Sequence, residues 1–400
     1  MHIVVIGAGV GGIAVALGLQ QRGLDVSVYE QASAVTAVGA GVIIAPNSHR
    51  LLTDEWGIDA VPGGVQPPTL HLRRWQDGTT ISEQQLGAVA VQRFGAPYVA
   101  MHRADLIDAL AAGLEPGTVS LRKRLTGLVQ DDKGVTVSFE DGRVERADLV
   151  IAADGTRSAS AAALGESTVA RPSGFAAYRG FAPKQLIAEI GESHNTWLGP
   201  NQHFVHYPIS GGELLNFVAI VPTTRQETEA WSSPGEVSDV RRAFTGWDPR
   251  VRRILDATEE VTLWGLYDRP VRDRLDLGRV VLLGDAAHPV LPFFAQGASL
   301  ALEDAAVLSA LVVDAPALGL DRVLSAYSRV RVPRIRKVQD ASFRNATMFH
   351  LPDGPEQQQR DAFLGDPASP SPLRANAWLF GHDVRDDAAA ARADLSTVGP

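Results

Sequence analysis

Three observations predict an α/β fold in which a parallel, Rossmann-like sheet domain is interleaved with a mostly antiparallel β-sheet domain, followed by a C-terminal helical region. Residues 3–6 form a β-branched run that breaks at Gly7 into a glycine-rich turn and a helical pattern over 10–21. Two later apolar runs, 148–153 and 279–283, each end on an Asp-Gly or Gly-Asp pair. Between them, from residue 175 to about 266, strand and turn signals dominate. Strand–helix alternation builds parallel sheets, and strand-after-strand runs build antiparallel ones, so the two types interleave along the chain.

The elements follow in order. Gly23 suits the left-handed residue that ends a helix, and Val26, Val28 and Glu30 alternate as a second strand. Asp77-Gly78 signals a hairpin. Residues 102–114 read as a helix and 118–138 as further strands. Strands over 204–209 and 214–221 flank the turn Ser210-Gly211-Gly212. Residues 298–313 read as a strongly amphipathic helix, and 352–372, rich in Gln, Pro and Ser, as a loose surface segment.

The 400 residues are 45% hydrophobic and 21% charged, an ordinary globular composition. A net charge of −9 with no basic run speaks against nucleic acid and anionic membrane surfaces as partners. Cysteine is absent, which excludes disulfides, Cys-ligated metal, thiol nucleophiles and a cysteinyl-flavin. The uncharged run 3–19 lacks the basic n-region of a signal peptide and is too glycine-rich and short for a membrane span. A cytoplasmic protein, monomer or homodimer, is the expectation.

Gly7-Ala8-Gly9-Val10-Gly11-Gly12 is a G-x-G-x-x-G turn between strand and helix. Gly7 permits the tight turn, Gly9 lets backbone approach a pyrophosphate, and Gly12 lets helix and strand pack closely. The helix N-terminus then offers free N–H groups to phosphates. Glu30 ends the second strand where an adenosine ribose would sit, and its charge disfavours a 2′-phosphate, so NADP is not expected there; Gln31 is assigned beside it. Asp154-Gly155, with Arg157 following, and Gly284-Asp285 sit at strand ends, the usual ligand side of an α/β sheet. No second G-x-G-x-x-G is present, so no separate nicotinamide domain is expected.

With these motifs the sequence resembles the single-component FAD-dependent aromatic hydroxylases, the group of salicylate hydroxylase and 3-hydroxybenzoate 6-hydroxylase. The likeness runs through Gly39-Ala40-Gly41, Pro46-Asn47, Tyr178-Arg179-Gly180, the stretch from Gly284 to Asp304, and Trp378-Leu379-Phe380-Gly381. It implies noncovalent FAD, with NAD(P)H and O2 as cosubstrates and a flavin C4a-hydroperoxide that transfers OH to a small phenolic or aryl-acid ring. It also implies that Asp154 serves FAD and NAD(P)H, that Asp285 contacts the ribityl chain, and that Arg103 approaches the phosphates or ribityl. Backbone near Leu125 would meet the adenine. Pro292 and the turn leading to Gly297 and Ala298 would line the isoalloxazine, with the helix from Ala298 pointing its positive end at the flavin.

A phenol reacts best as its phenolate, so a proton acceptor near pKa 7 is wanted, and histidine is the natural side chain. On a strand, His203, Val205 and Tyr207 share one face, with Phe204 and His206 on the other. His203 and Tyr207 would stand ~13 Å apart at ~3.3 Å per residue, able to bracket a small aromatic acid. Hydroxybenzoate and hydroxynicotinate hydroxylases carry a His and a Tyr at this spacing. The alternative is that His203 is a packed strand residue, and His206 reads as structural. Ile43 and Pro292 stand where relatives carry polar groups, making the pocket more apolar. Arg179 and His288 read as structural or cofactor-side; Trp197, Trp264 and Tyr267 read as core or pocket wall. Two other functions fit the same flavin motifs: a monooxygenase or epoxidase of secondary metabolism acting on a larger, non-carboxylated ring, and a non-catalytic flavin redox sensor. The expected organisation assigns 1–70, 100–174 and 270–315 to FAD, 71–99 and 175–269 to substrate, and 316–400 to a C-terminal helical segment and tail.

Overall fold

A computed structural model describes residues 1–34, 40–166, 170–223 and 233–397. Gly39, part of the Gly39-Ala40-Gly41 motif, lies outside the described residues. The first sheet runs, edge to edge, Asp276–Leu277, Val280–Leu282, Leu149–Ala152, His2–Ile6, Asp25–Tyr29 and Val119–Ser120. Its central pairings are parallel, with Val5 opposite both Ile151 and Val28. The three central strands, Val280–Leu282, Leu149–Ala152 and His2–Ile6, are buried without alternation because both faces are covered. Helix Val10–Gln20 connects the first two of them in sequence and is buried over nearly its whole length.

The second sheet has eight described strands, in the order Ser233–Gly235, Val261–Asp268, Arg171–Pro183, Leu214–Pro222, Gln202–Ile209, His194–Gly199, Thr69–Arg74 and Thr80–Gln85. All pairings are antiparallel except that of His194–Gly199 with Thr69–Arg74. Period-two alternation divides its side chains. One face buries Trp197, Phe204 and Phe217 against Phe244, Trp247 and the helix Pro249–Asp256; the other faces a large cavity.

Four expectations change. The region 175–266 is not strands alone: helices Gln185–Ile190, Val237–Ala243 and Pro249–Asp256 interrupt it to cover the apolar face of the sheet. The helix expected over 102–114 spans Arg103–Ala111, with His102 as the N-cap whose ring accepts the Ala104 N–H. The helix expected to be amphipathic, Gly297–Val312, is buried on all sides. It lies between Val10–Gln20 on one side and the helices Leu320–Phe349 and Val384–Thr397 on the other. Its acidic members, Glu303 and Asp304, are not a wet face: they meet buried Arg331 and Arg334 from the long helix. The loose segment expected over 352–372 contains the helix Pro355–Gly365. It lacks a strong apolar stripe because polar ties hold it: Asp361 accepts from Arg74 at 3.1 Å, and Arg360 donates to the Met348 carbonyl at 2.8 Å. No helix among the described residues is long and apolar enough to cross a membrane.

Arg331 is fully buried and donates to Asp304 at 2.7 Å and Glu303 at 3.0 Å. Burial alone would raise the Glu303 carboxyl, but Arg334 and Arg331 reverse this and hold it well below the usual carboxylate range. Removing one partner strands the other charges in the interior, so Arg331→Ala should lose roughly 3–5 kcal/mol of unfolding free energy. Urea denaturation measures it; a loss below about 1 kcal/mol would mean that the knot relaxes or hydrates.

Candidate active site

A cavity of about 870 Å³ runs from the glycine-rich turn to the second sheet. Its first end is built by strand termini of the parallel sheet. Gly7 adopts φ +101°, and a Cβ there would come within 2.5 Å of the Ala153 carbonyl oxygen, so the turn admits no side chain. A Cβ on Gly12 would collide with the Gly7 carbonyl. Gly9 is different: the nearest atom to a Cβ built on it is Arg103 Nη2, 3.8 Å away, leaving open backbone beneath a guanidinium. Glu30 is braced by the Ala8 and Ala32 N–H groups, each 2.8 Å from its carboxylate.

Asp154 accepts the backbone and hydroxyl hydrogens of Ser160 through one oxygen, both at 2.9 Å; its other oxygen is buried with no partner among the described residues. Asp285 lines the cavity; burial pushes its carboxyl pKa up, against the pull of Arg103, His288 and Arg179. The buried helix presents its first residues, Gly297 and Ala298, to the cavity beside Pro292. Open backbone at a helix start, an orphaned carboxylate oxygen and a guanidinium over the turn fit an anionic dinucleotide with hydroxyl groups to donate.

The second end is a floor of strand side chains. Arg179, Val218, Val205, Thr196 and Leu72 form one row across five strands. Ile220 and His203 lie in the next row on one side, and Tyr207 in the next row on the other. All line the cavity, as do Ile43, Trp264 and Tyr267. His206 faces the opposite way, its ring 5.1 Å from that of Trp197, which is core rather than pocket wall.

Of the residues singled out from sequence, Gly9, Gln31, Arg103, Asp154, His203, Tyr207, Asp285, Pro292, Gly297 and Ala298 line this one cavity. Gly7, Gly12, Glu30 and Leu125 do not: the glycines shape the turn, Glu30 is braced beside it, and Leu125 is buried at the start of strand Leu125–Asp131.

The expected proton acceptor near pKa 7 needs correction. Burial, then His350, push the His203 pKa well below the ordinary histidine value. Tyr207 is pushed up to about 12, burial outweighing Arg179. His288 is not free either: it is bonded to Asp304 within the ionic knot.

Sequence reasoning missed three polar groups here. His350 follows a helix 147 residues away in the chain and meets His203. Tyr98 and His194 come from separate strand regions and bond to one another at 3.2 Å. None sits in a local pattern; only the long-range register brings them in. The segment 352–372 was also missed as cavity wall, to which it contributes Phe363, Leu364, Pro370 and Pro372. Arg179 is half-buried, 5.0 Å from the Trp264 ring, and its buried Nε has no partner among the described residues. Burial lowers its pKa.

A family model described as FAD binding domain matches residues 1–342. The chain is 37% identical over 387 residues to a 3-amino-4-hydroxybenzoate 2-monooxygenase of Streptomyces platensis, covering 96% of each. It is 32% identical over 388 residues to the 6-hydroxynicotinate 3-monooxygenase of Bordetella bronchiseptica, covering 96% of this chain and 95% of that one. Among solved structures, Klebsiella pneumoniae HpxO complexed with FAD and uric acid superposes with a TM-score of 0.79 at 26% identity, covering 100% of this chain and 98% of that chain.

Two substitutions test the dinucleotide end. Glu30→Ala should weaken FAD binding by roughly 1.5–3 kcal/mol for each charge-assisted bond lost. Asp285→Ala should lower the FAD carried by the purified protein. Flavin absorbance after gel filtration, with titration of the stripped protein, reads both; unchanged affinity and occupancy would contradict the assignments.

Proposed function

We propose, on the premise that this chain belongs to the FAD binding domain family and is an FAD-dependent aromatic-ring monooxygenase, that it hydroxylates a small phenolic acid of the 3-amino-4-hydroxybenzoate type. The observation that carries this reading is the cavity itself, with phosphate-binding features at one end and His203, Tyr207 and Arg179 at the other. When bound, FAD would pass two electrons from NAD(P)H to O2, one atom of which goes to the ring and the other to water.

The chain's own residues would do the rest. Gly9, Arg103 and the start of helix Val10–Gln20 hold the pyrophosphate, and Glu30 and Gln31 the adenosine end. Asp285 binds the ribityl hydroxyls, and Asp154 serves both nucleotides. Pro292, Gly297 and Ala298 pack against the ring system. His203 takes the phenolic proton, directly or through a water, and Tyr207 holds the far side of the ring. The Arg179 guanidinium, which lines the cavity with its buried Nε unpartnered among the described residues, would favour an anionic ligand over a large neutral ring. The apolar side chains of Ile43, Leu72, Val205, Val218, Trp264 and Phe293 on the cavity wall would disfavour water there, which would protect reactive intermediates.

Removing a general base costs typically ~10²–10⁴-fold. His203→Gln should therefore keep FAD and its fold but lose hydroxylation of 3-amino-4-hydroxybenzoate by that order. Flavin reduction uses no phenolate, so NAD(P)H and O2 would still be consumed, with hydrogen peroxide released. Raising the pH toward the phenol's own pKa should restore part of the yield. Product formed per NAD(P)H across pH decides it: unchanged coupling would make His203 a packing residue.

A further inference from the structure

One polar contact at the cavity wall is not used by the reading above. His203 Nδ1 and His350 Nε2 stand 2.7 Å apart, with the rings stacked at 4.9 Å and 28°. Both residues are buried, and aromatic rings enclose them: Phe175 lies 4.4 Å from His350, and Phe349 and Phe293 lie 5.4 and 5.6 Å from His203. The ionisable group that acts on His203 is His350, and burial alone acts on His350. Both rings are therefore neutral at rest near neutral pH, His350 being pulled down to about 4.

Two neutral imidazoles can share a short N···N contact only if one of the facing nitrogens carries hydrogen and the other does not. With the hydrogen on His203 Nδ1, His203 Nε2 is a bare acceptor at the cavity. With it on His350 Nε2, His203 Nε2 must carry its own hydrogen and cannot act as a base. His350 Nδ1 is buried with no partner among the described residues, so a ligand in the cavity reaches this pair through His203.

We propose that His203 and His350 act together as a two-histidine proton acceptor for the phenolic substrate. The phenol O–H bond breaks as the His203 Nε2–H bond forms; the His203 Nδ1–H bond breaks as the His350 Nε2–H bond forms. The phenolate then accepts a hydrogen bond from a neutral His203, and the positive charge rests on His350, against the Phe175 ring, which a cation favours. Proton, charge and bonds balance without a further reactant. This rests on the reading of His203 as the acceptor and deepens it by carrying the proton one ring further.

The test uses FAD-loaded full-length protein without NAD(P)H. ¹⁵N-histidine NMR on the wild type needs no aromatic ligand; it should show His203 with hydrogen on Nδ1 and a bare Nε2. Hydrogen on Nε2 would overturn the proposal. The second measurement is the pH midpoint at which bound 4-hydroxy-3-nitrobenzoate turns into its phenolate, followed by absorbance. Gln at position 350 can still accept the His203 Nδ1–H but cannot take the proton. His350→Gln should therefore raise the midpoint by about one pH unit while leaving flavin content unchanged, whereas a purely orienting role would leave it at the wild-type value. If His203→Gln raises the midpoint and His350→Gln does not, the two-histidine proposal fails alone. If neither does, the reading of His203 fails with it.

Discussion

The cavity depends on what Asp304 holds together. One of its oxygens accepts the Gly284 N–H at 2.9 Å and contacts His288 Nε2 at 2.5 Å; the other accepts from Arg331 at 2.7 Å. A strand-end turn, a buried helix and the long C-terminal helix are thereby fixed to one carboxylate. Asp285 follows Gly284 directly, and Gly297 and Ala298 begin the helix that carries Asp304. Neighbouring Glu303 extends the knot to Asn47 and Arg334. Such a network adds little net stability over an apolar core, but its geometry is exacting, and here it sets where the cofactor-facing loops lie.

The second constraint is the alternation of one strand. Gln202–Ile209 gives its even side chains to an aromatic core and its odd ones to the cavity, so a register slip of one residue would exchange His203 for Phe204. Both neighbours pin it, with His203 opposite Leu198 on one side and Ile220 on the other. Burial disfavours the charged forms of His194, His203 and Tyr207 on the cavity side.

Much of this was legible in the sequence, for physical reasons. The glycine turn, the strand-end aspartates and the His203–Tyr207 spacing are local patterns whose geometry follows from period and backbone freedom. What was not legible has a common cause. The Gly297–Val312 helix reads as two-faced because Glu303 and Asp304 look solvated; their partners lie 27 to 31 residues further on and have no local signature. Residues 352–372 look loose because an ion pair and a hydrogen bond to backbone, rather than an apolar stripe, dock their helix. His350 and Tyr98 enter through tertiary packing alone, and the low basicity of His203 follows from rings that surround it only in the folded chain.

The central claim is that this protein transfers one oxygen atom from O2 to a phenolic ring held between Arg179, Tyr207 and the His203 end of the cavity. Incubating the FAD-loaded protein with NAD(P)H, ¹⁸O2 and 3-amino-4-hydroxybenzoate, beside a panel of simple phenols, tests it most directly by mass spectrometry of the product. The account predicts one ¹⁸O atom in the ring of a phenolic acid for each NAD(P)H consumed in coupled turnover. Oxygen arriving from water, or full flavin loading with no ring-hydroxylated product from any phenol, would contradict it.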